Sequence, residues 1–409
     1  MMYAYKSAVS TLILYGRGVL TRVVTLLTSI VSSILIVKIF SVEGKGVLSV
    51  YNSSIGLIAS FTSLSLSSGI IYYSRKLDVP FYGAKNSELL MLMTTIILLP
   101  LLLILKEVIG WLPFLSTSHV VLIWLIVGMQ VLIKPLEAGF TSIYASGTIV
   151  GLEIVRSFIY LGGMIFLLFN TSYASIDNAL YLISASFALK FILARFLARN
   201  SLLSIDLDGF KRLLKYSLSS FWGNIIQKYN VRVDIIILAF FTTAADIGIY
   251  SILVMYAQLQ WVLVDGISTF YGPKLVDSIS ESKRRKSVKD MLLWIVSSCS
   301  VIMLLQVMFA DMLFTELFDI DIHDYRHHLI ILLAASLIFT MVKVLTKYFS
   351  SVGQPNVNSF SALVSFLSTG TIGLYLISNG ILGACYASLI SYLVGLIYLI
   401  IRIVILWRK

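Results

Sequence analysis

Two pairs of cations stand in stretches that are otherwise almost wholly apolar: Arg17 and Arg22 within residues 8–37, and Lys228 and Arg232 within residues 212–241. A cation near the middle of a bilayer costs about 2.5 kcal/mol or more, so it should face a partner or a water-filled cavity. Cations outnumber acids in both stretches, and the excess calls for an anion from outside. Holding a carboxylate or phosphate by charge-assisted hydrogen bonds is the chemistry these groups offer. In the first stretch Arg17, Thr21, Thr25, Thr28 and Ser32 follow at intervals of 4, 4, 3 and 4, which lines up one polar helical face. In the second, Asn224, Lys228 and Arg232 recur at i, i+4 and i+8, with Gln227 beside them. Each has a purely structural alternative. Hydroxyls can bond their own helix backbone, and Lys228 or Arg232 can pair with Asp234 or Asp265.

Other polar groups inside apolar segments carry weaker signals. Gln258, Trp261, Asp265 and Thr269 share a helical face, and an aromatic ring beside amide and carboxylate groups suits a sugar ring; Trp is equally at home at a membrane interface. Asp234, Asp265 and Glu137 are candidates for coupling to a proton or sodium gradient, with no other cofactor and no metal expected. Lys134 can pair with Glu137 at i, i+3, and Lys190 can snorkel from a helix end.

The elements that must position these groups are transmembrane helices. The 409-residue chain is 58% hydrophobic and 12% charged, with many apolar runs of membrane-crossing length, which excludes a soluble globular protein. The pattern predicts an all-α polytopic membrane protein of about twelve spans, near residues 8–38, 46–74, 88–109, 118–146, 149–170, 177–198, 212–241, 247–272, 288–312, 327–350, 357–378 and 381–406. The first reads as a retained helix long enough to need a tilt or a bend near Gly16 and Gly18. Cys299 and Cys385 lie in separate spans as packing residues.

With the N-terminus in the cytoplasm, 21 of the 31 Lys and Arg fall at cytoplasmic helix ends, including the Lys283 to Lys289 cluster. Lys38, Lys45, Lys106 and Arg326 fall outside, so the positive-inside rule places both termini in the cytoplasm. The net charge of +11 then belongs to groups facing lipid headgroups, and nucleic acid is not an expected partner. Residues 311–326 form an acidic outer loop whose spacing matches no tight metal-ligand set.

The chain also compares with itself. At an offset of 202, Gly46 in the stretch 41–48 meets Gly248 in 243–250, and residues 141–147 resemble 346–353 at a nearly equal offset. The same shift carries Thr25, Thr28 and Ser32 onto Gln227, Asn230 and Asp234. Six spans per half make this a parallel repeat: an N-terminal lobe of residues 1–199, a basic cytoplasmic linker of 200–215, and a C-terminal lobe of 216–409.

Twelve spans in two like halves, cationic first and seventh helices, an acidic-Gly hairpin after each, and a basic central linker resemble a known group. The chain is similar to the polysaccharide flippases, the O-antigen or repeat-unit translocases of the multidrug/oligosaccharidyl-lipid/polysaccharide exporter superfamily. That resemblance implies a bacterial inner-membrane transporter working by alternating access. It would move an undecaprenyl-diphosphate-linked oligosaccharide from the cytoplasmic to the outer leaflet, with a polysaccharide polymerase and chain-length machinery as partners. Arg17, Arg22, Lys228 and Arg232 would hold the diphosphate and acidic sugars, with Asn224, Gln227 and Trp261 as further substrate-binding residues. The competing readings are a membrane glycosyltransferase or polymerase of surface glycans, which usually needs a larger external domain, and a cation-coupled exporter of another anion or a drug.

Overall fold

The computed structural model describes residues 2–109, 116–143, 145–202, 204–261, 264 and 281–408, without the side chains of 2–23, 25, 105, 108, 109, 146, 227, 281 and 355. The side chains of Arg17, Arg22 and Gln227 therefore lie outside the description, as does Asp265 altogether. The described chain is all-helical, with nine helices long and apolar enough to cross a membrane among the described residues. In order they run α1 Met2–Thr62, α2 Leu66–Lys76, α3 Ala84–Ile109, α4 Thr117–Ser142, α5 Ser146–Phe169, α6 Ile176–Ala198 and α7 Leu207–Tyr229. There follow α8 Val233–Leu238, α9 Ala244–Ala257, α10 Glu281–Phe318, α11 Arg326–Ser351, α12 Pro355–Ser368, α13 Leu374–Ile377 and α14 Ile381–Arg408.

Three of the expected spans take a different form. Helical backbone continues through Gly16 and Gly18, and the reversal sits at Ser41, whose φ of 65° and ψ of 179° split α1 into arms 2–40 and 42–62. Lys45 on the second arm donates to Ser33 Oγ on the first at 2.8 Å. In one straight helix these residues would be about 18 Å apart, so Ser41 turns the chain back on itself. The expected span 46–74 is interrupted where Leu64 and Ser65 take positive φ, and the expected span 212–241 is interrupted between Tyr229 and Val233. Of 247–272, the long helix described is α9, which ends at Ala257.

An apolar helix that stops short exposes carbonyls, and inside a membrane these need protein donors. At the end of α9, Gln306 Nε2 donates to Tyr256 O at 2.5 Å and Ser336 Oγ donates to Ala257 O at 2.8 Å. Tyr256 Oη returns a bond to Gln306 O at 2.9 Å, which ties α9 to α10. The start of α9 is fixed as firmly: Thr243 and Asp246 form a reciprocal capping box. That box gives a physical reason for the Thr-x-x-Asp preceding Gly248 in the self-comparison.

Contacts divide the chain into two compact units, Met1–Lys228 and Tyr229–Lys409. In the first, α4 is the hub against which α1, α2, α3, α5 and α6 pack; in the second, α11 contacts α9, α10, α12 and α14. These two have 56% of their most apolar stretch buried, against 17% to 33% for the other seven spans. They are the fourth and tenth expected spans, equivalent places in a six-span repeat. Most of the expected linker 200–215, with Lys211, Arg212 and Lys215, is helical in α7, and the segment before it is held to the first unit, with Ile205 N and O both bonded to the Asn86 amide, at 3.0 and 3.2 Å.

In the second unit Gly383 lets α14 meet the end of α13. A Cβ there would run into the backbone carbonyl of Leu376, which cannot swing aside as a side chain could. Gly383→Val should therefore cost about 1–3 kcal/mol, the usual scale of overpacking. The measurement is the thermal unfolding midpoint of the purified protein in detergent, and a midpoint equal to wild type would contradict this packing.

Candidate functional site

The break between α1 and α2 builds the most chemically distinctive part of the first unit. Serine hydroxyls compete for helix carbonyls: Ser60 Oγ donates to Gly56 O at 2.7 Å and Ser63 Oγ to Ser60 O at 2.9 Å. The chain then passes through left-handed Leu64 and Ser65 before helix resumes. Ser60, Ser63, Ser65, Ser67 and Ser68 are thereby gathered on one wall of a cavity of about 340 Å³. Lys134 of α4 and Asn224, Ile225 and Lys228 of α7 complete the lining.

Both lysines are anchored to the broken end of α1. Lys134 Nζ donates to Ala59 O at 2.8 Å, and Lys228 Nζ donates to the neighbouring Ser60 Oγ at 3.2 Å. Asn224 Nδ2 reaches Ser65 Oγ at 3.3 Å. Neither lysine has a carboxylate oxygen within 4.0 Å among the described residues. An ammonium carries three donors, so each lysine keeps hydrogen-bonding capacity beyond these contacts. Two ammonium groups, an amide and a bank of hydroxyls around one cavity form an anion site.

Glu137 does not neutralise Lys134, contrary to the i, i+3 expectation. Its carboxylate lies 2.6 Å from Lys190 Nζ, which also bonds Glu153 at 2.8 Å. Glu153 in turn grips Arg156. Two acids and two bases on α4, α5 and α6 thus cancel one another. Lys190 is 6% exposed and does not snorkel; two carboxylates hold it inside. Arg156 lies well inside α5. The sequence shows all four charges but not that they meet, because each contact except Glu153–Arg156 joins different helices.

The remaining sequence candidates lie in the second unit. Arg232 stands in the turn between α7 and α8, so the i, i+4, i+8 stripe ends at Lys228. Asn230 bonds Ala362 O at 3.1 Å, and the Asp234 carboxylate takes the amide of Ile235 at 2.8 Å, bonds that replace a continuous helix. Asp234 is buried, with Tyr250 Oη donating at 2.6 Å and Ser388 Oγ at 3.4 Å, and no cation is within 4.0 Å among the described residues. Trp261 packs against Phe339 with ring centroids 4.8 Å apart, and Lys343 Nζ lies 4.8 Å from its ring. On the first helix, Thr28 and Ser32 do bond their own backbone, to Val24 O at 2.8 Å and Thr28 O at 2.6 Å.

The two kinds of buried lysine should respond unequally to loss of charge. Lys190→Met leaves two buried carboxylates without their shared cation and should destabilise the protein by about 3–5 kcal/mol. Lys134→Met removes an ammonium with no carboxylate oxygen within 4.0 Å among the described residues and one hydrogen bond to Ala59 O, so it should cost less, about 1 kcal/mol, by the same unfolding midpoint in detergent. Equal destabilisation by both would show that Lys134 is also a structural charge.

No family model and no curated protein matches this sequence. Solved structures do match in backbone. One is an inward-facing multidrug resistance MATE family transporter of the MOP superfamily, at TM-score 0.71 and 12% identity over 96% of this chain and 99% of that one. The lipid II flippase MurJ in an inward closed conformation matches at 0.71 and 14% identity, over 96% and 87%. A MOP superfamily transporter from Pyrococcus furiosus, whose reverse-polarity binding pocket suggests a different function, matches at 0.62 and 13% identity, over 98% and 96%. At such identities the likeness is one of fold: this is an all-helical, multi-pass membrane protein whose backbone resembles those transporters.

Proposed function

We propose that this protein is a flippase for an anionic, lipid-linked oligosaccharide, moving an undecaprenyl-diphosphate-linked repeat unit from the cytoplasmic to the outer leaflet of a bacterial inner membrane by alternating access. The observation that carries this reading is the serine-lined cavity whose charged lining groups, among the described residues, are Lys134 and Lys228. A diphosphate supplies the acceptors that two ammonium groups, Asn224 and the hydroxyls require. Arg17 and Arg22 belong to the same reading as further cations on the first helix. The flippase MurJ, of the same fold, supports a lipid-linked cargo. Excess positive charge opposes an organic cation as cargo, since it would repel one. The distribution of Lys and Arg over the helix ends supports cytoplasmic termini. No bond is made or broken in this reading, so the protein is a translocase and not a glycosyltransferase.

Asp234 is the best-built of the three coupling candidates. Its carboxylate is buried against a tyrosine and a serine hydroxyl, with no cation within 4.0 Å among the described residues, a setting in which a proton can be held. Glu137 is already committed to Lys190. A proton gradient working through Asp234 is therefore the coupling proposed.

The test is translocation in proteoliposomes, scored by access of an impermeant glycan-modifying enzyme to undecaprenyl-diphosphate oligosaccharide placed in one leaflet. Wild type should move the lipid, and Lys134→Gln and Lys228→Gln should each slow it at least tenfold while inserting normally. Full rates in both variants would remove the cavity from the mechanism, and an inactive wild type would remove the flippase reading. An imposed proton gradient should accelerate wild type but leave Asp234→Asn at its ungradiented rate; equal acceleration of both would exclude Asp234 as the coupling site.

A further inference from the structure

A second polar cavity in the first unit, of about 290 Å³, is not used by the diphosphate reading. It lies between the two arms of α1, α4, α5 and α6, and its charged lining groups are Lys45 and Arg156. Arg156 is fixed from behind by Glu153 and lies 4.9 Å over the Phe187 ring; Lys45 is steadied by Ser33. Asn52 and Gln130 also line the cavity, and neither amide makes a hydrogen bond among the described residues. Tyr160 and Phe187 supply aromatic wall.

We infer that this cavity is a binding site for a carboxylate-bearing sugar, a hexuronate or similar acidic residue of the glycan. The assignment follows from the lining. Lys45 supplies the charge for the carboxylate and Arg156, itself balanced by Glu153, the guanidinium donors Glu153 does not take; two open amides offer paired donors and acceptors to ring hydroxyls, and the aromatic walls suit the C–H face of a sugar. A bare phosphate would leave the amides and rings unused. The position fits the same cargo, and in this respect the inference rests on the flippase reading. Asn52 and Ser60 share an arm of α1 and are eight residues apart, about 12 Å; Gln130 and Lys134 share α4 and are four apart, about 6 Å. A glycan leaving a diphosphate at Lys134 would therefore meet this second cavity within one or two helical turns.

The test needs no lipid and no transport. Full-length protein in detergent is titrated calorimetrically with trigalacturonate, with its carboxyl-reduced neutral counterpart, and with inorganic phosphate. Trigalacturonate should bind at least tenfold more tightly than the neutral sugar, Lys45→Gln should abolish that preference, and Lys134→Gln should keep it. Gln130→Leu, which removes no charge, should weaken both sugars about fivefold and guards against a folding defect in Lys45→Gln. Equal affinity for acidic and neutral sugar, a preference unchanged by Lys45→Gln, sugar affinities unmoved by Gln130→Leu, or phosphate binding that falls with Lys45→Gln as much as trigalacturonate binding does would each overturn the assignment. A protein that binds trigalacturonate as expected but moves no lipid would refute the flippase reading and leave this site standing.

Discussion

A charge inside an apolar slab must be cancelled or used, and this constraint organises the first unit. Lys190 meets it by cancellation: two carboxylates approach one ammonium and a guanidinium completes the balance. Such a cluster adds little net stability relative to apolar packing, but it is costly to break, and so it fixes the mutual positions of α4, α5 and α6. Lys134, one turn from Glu137 on α4, is left out of that balance. Its ammonium points to the end of α1 instead, where Lys228 joins it. The cluster therefore creates the anion site indirectly, by occupying the acid that would otherwise have neutralised Lys134.

The same logic governs the backbone. Helices in a membrane satisfy their own peptide groups, and an interruption is tolerated where protein or a polar cavity replaces the lost bonds. The break at 63–65 is filled by serine hydroxyls and the Lys134 ammonium; the end of α9 is filled by Gln306 and Ser336. The first opens onto a cavity and the second is sealed within packed helices. Interrupted helices are where transporters place their binding groups, because only there are donors and acceptors available at membrane depth. Ser41 serves differently: its turn brings Ser33 and Lys45 together and so contributes two walls of the second cavity.

Legibility in the sequence follows this division between local and long-range causes. The positions of the helices were readable because apolar run length is a local property, and the short connection near residue 41 was readable from the polar residues that end one run and open the next. The equal standing of α4 and α11 agrees with a repeat found by an offset of the chain against itself. The breaks at 63–65 and 230–232 were not readable, since serines and β-branched residues are also ordinary inside membrane helices. Periodicity then carried the stripe from Asn224 to Arg232 across a turn that ends it. An acid three residues away makes Glu137 the local partner expected of Lys134, yet which base Glu137 meets is decided by α6, more than fifty residues later in the chain. Arg156 stands inside the expected span 149–170, but its place in a cluster with Glu137 and Lys190 depends on α4 and α6, which local spacing does not show.

The fold alone leaves the sign of the cargo open, as its occurrence in multidrug exporters and a lipid II flippase makes plain. What separates such functions is the sign of the charge remaining after internal pairing. In this chain Glu137 and Glu153 are spent on Lys190 and Arg156, and among the described residues the charges facing the serine-lined cavity are ammonium groups. An organic cation entering there would find repulsion and no carboxylate, whereas an anion would find donors already held in place by serine and backbone oxygens. Pre-organised donors matter for a transporter because they lower the cost of ordering the site without requiring a tight fit to the rest of the cargo. A diphosphate common to many glycans can thus be held by one cavity while the sugars beyond it vary. Selection among those sugars then falls to groups outside the lysine pair, which is the place the open amides of Asn52 and Gln130 occupy.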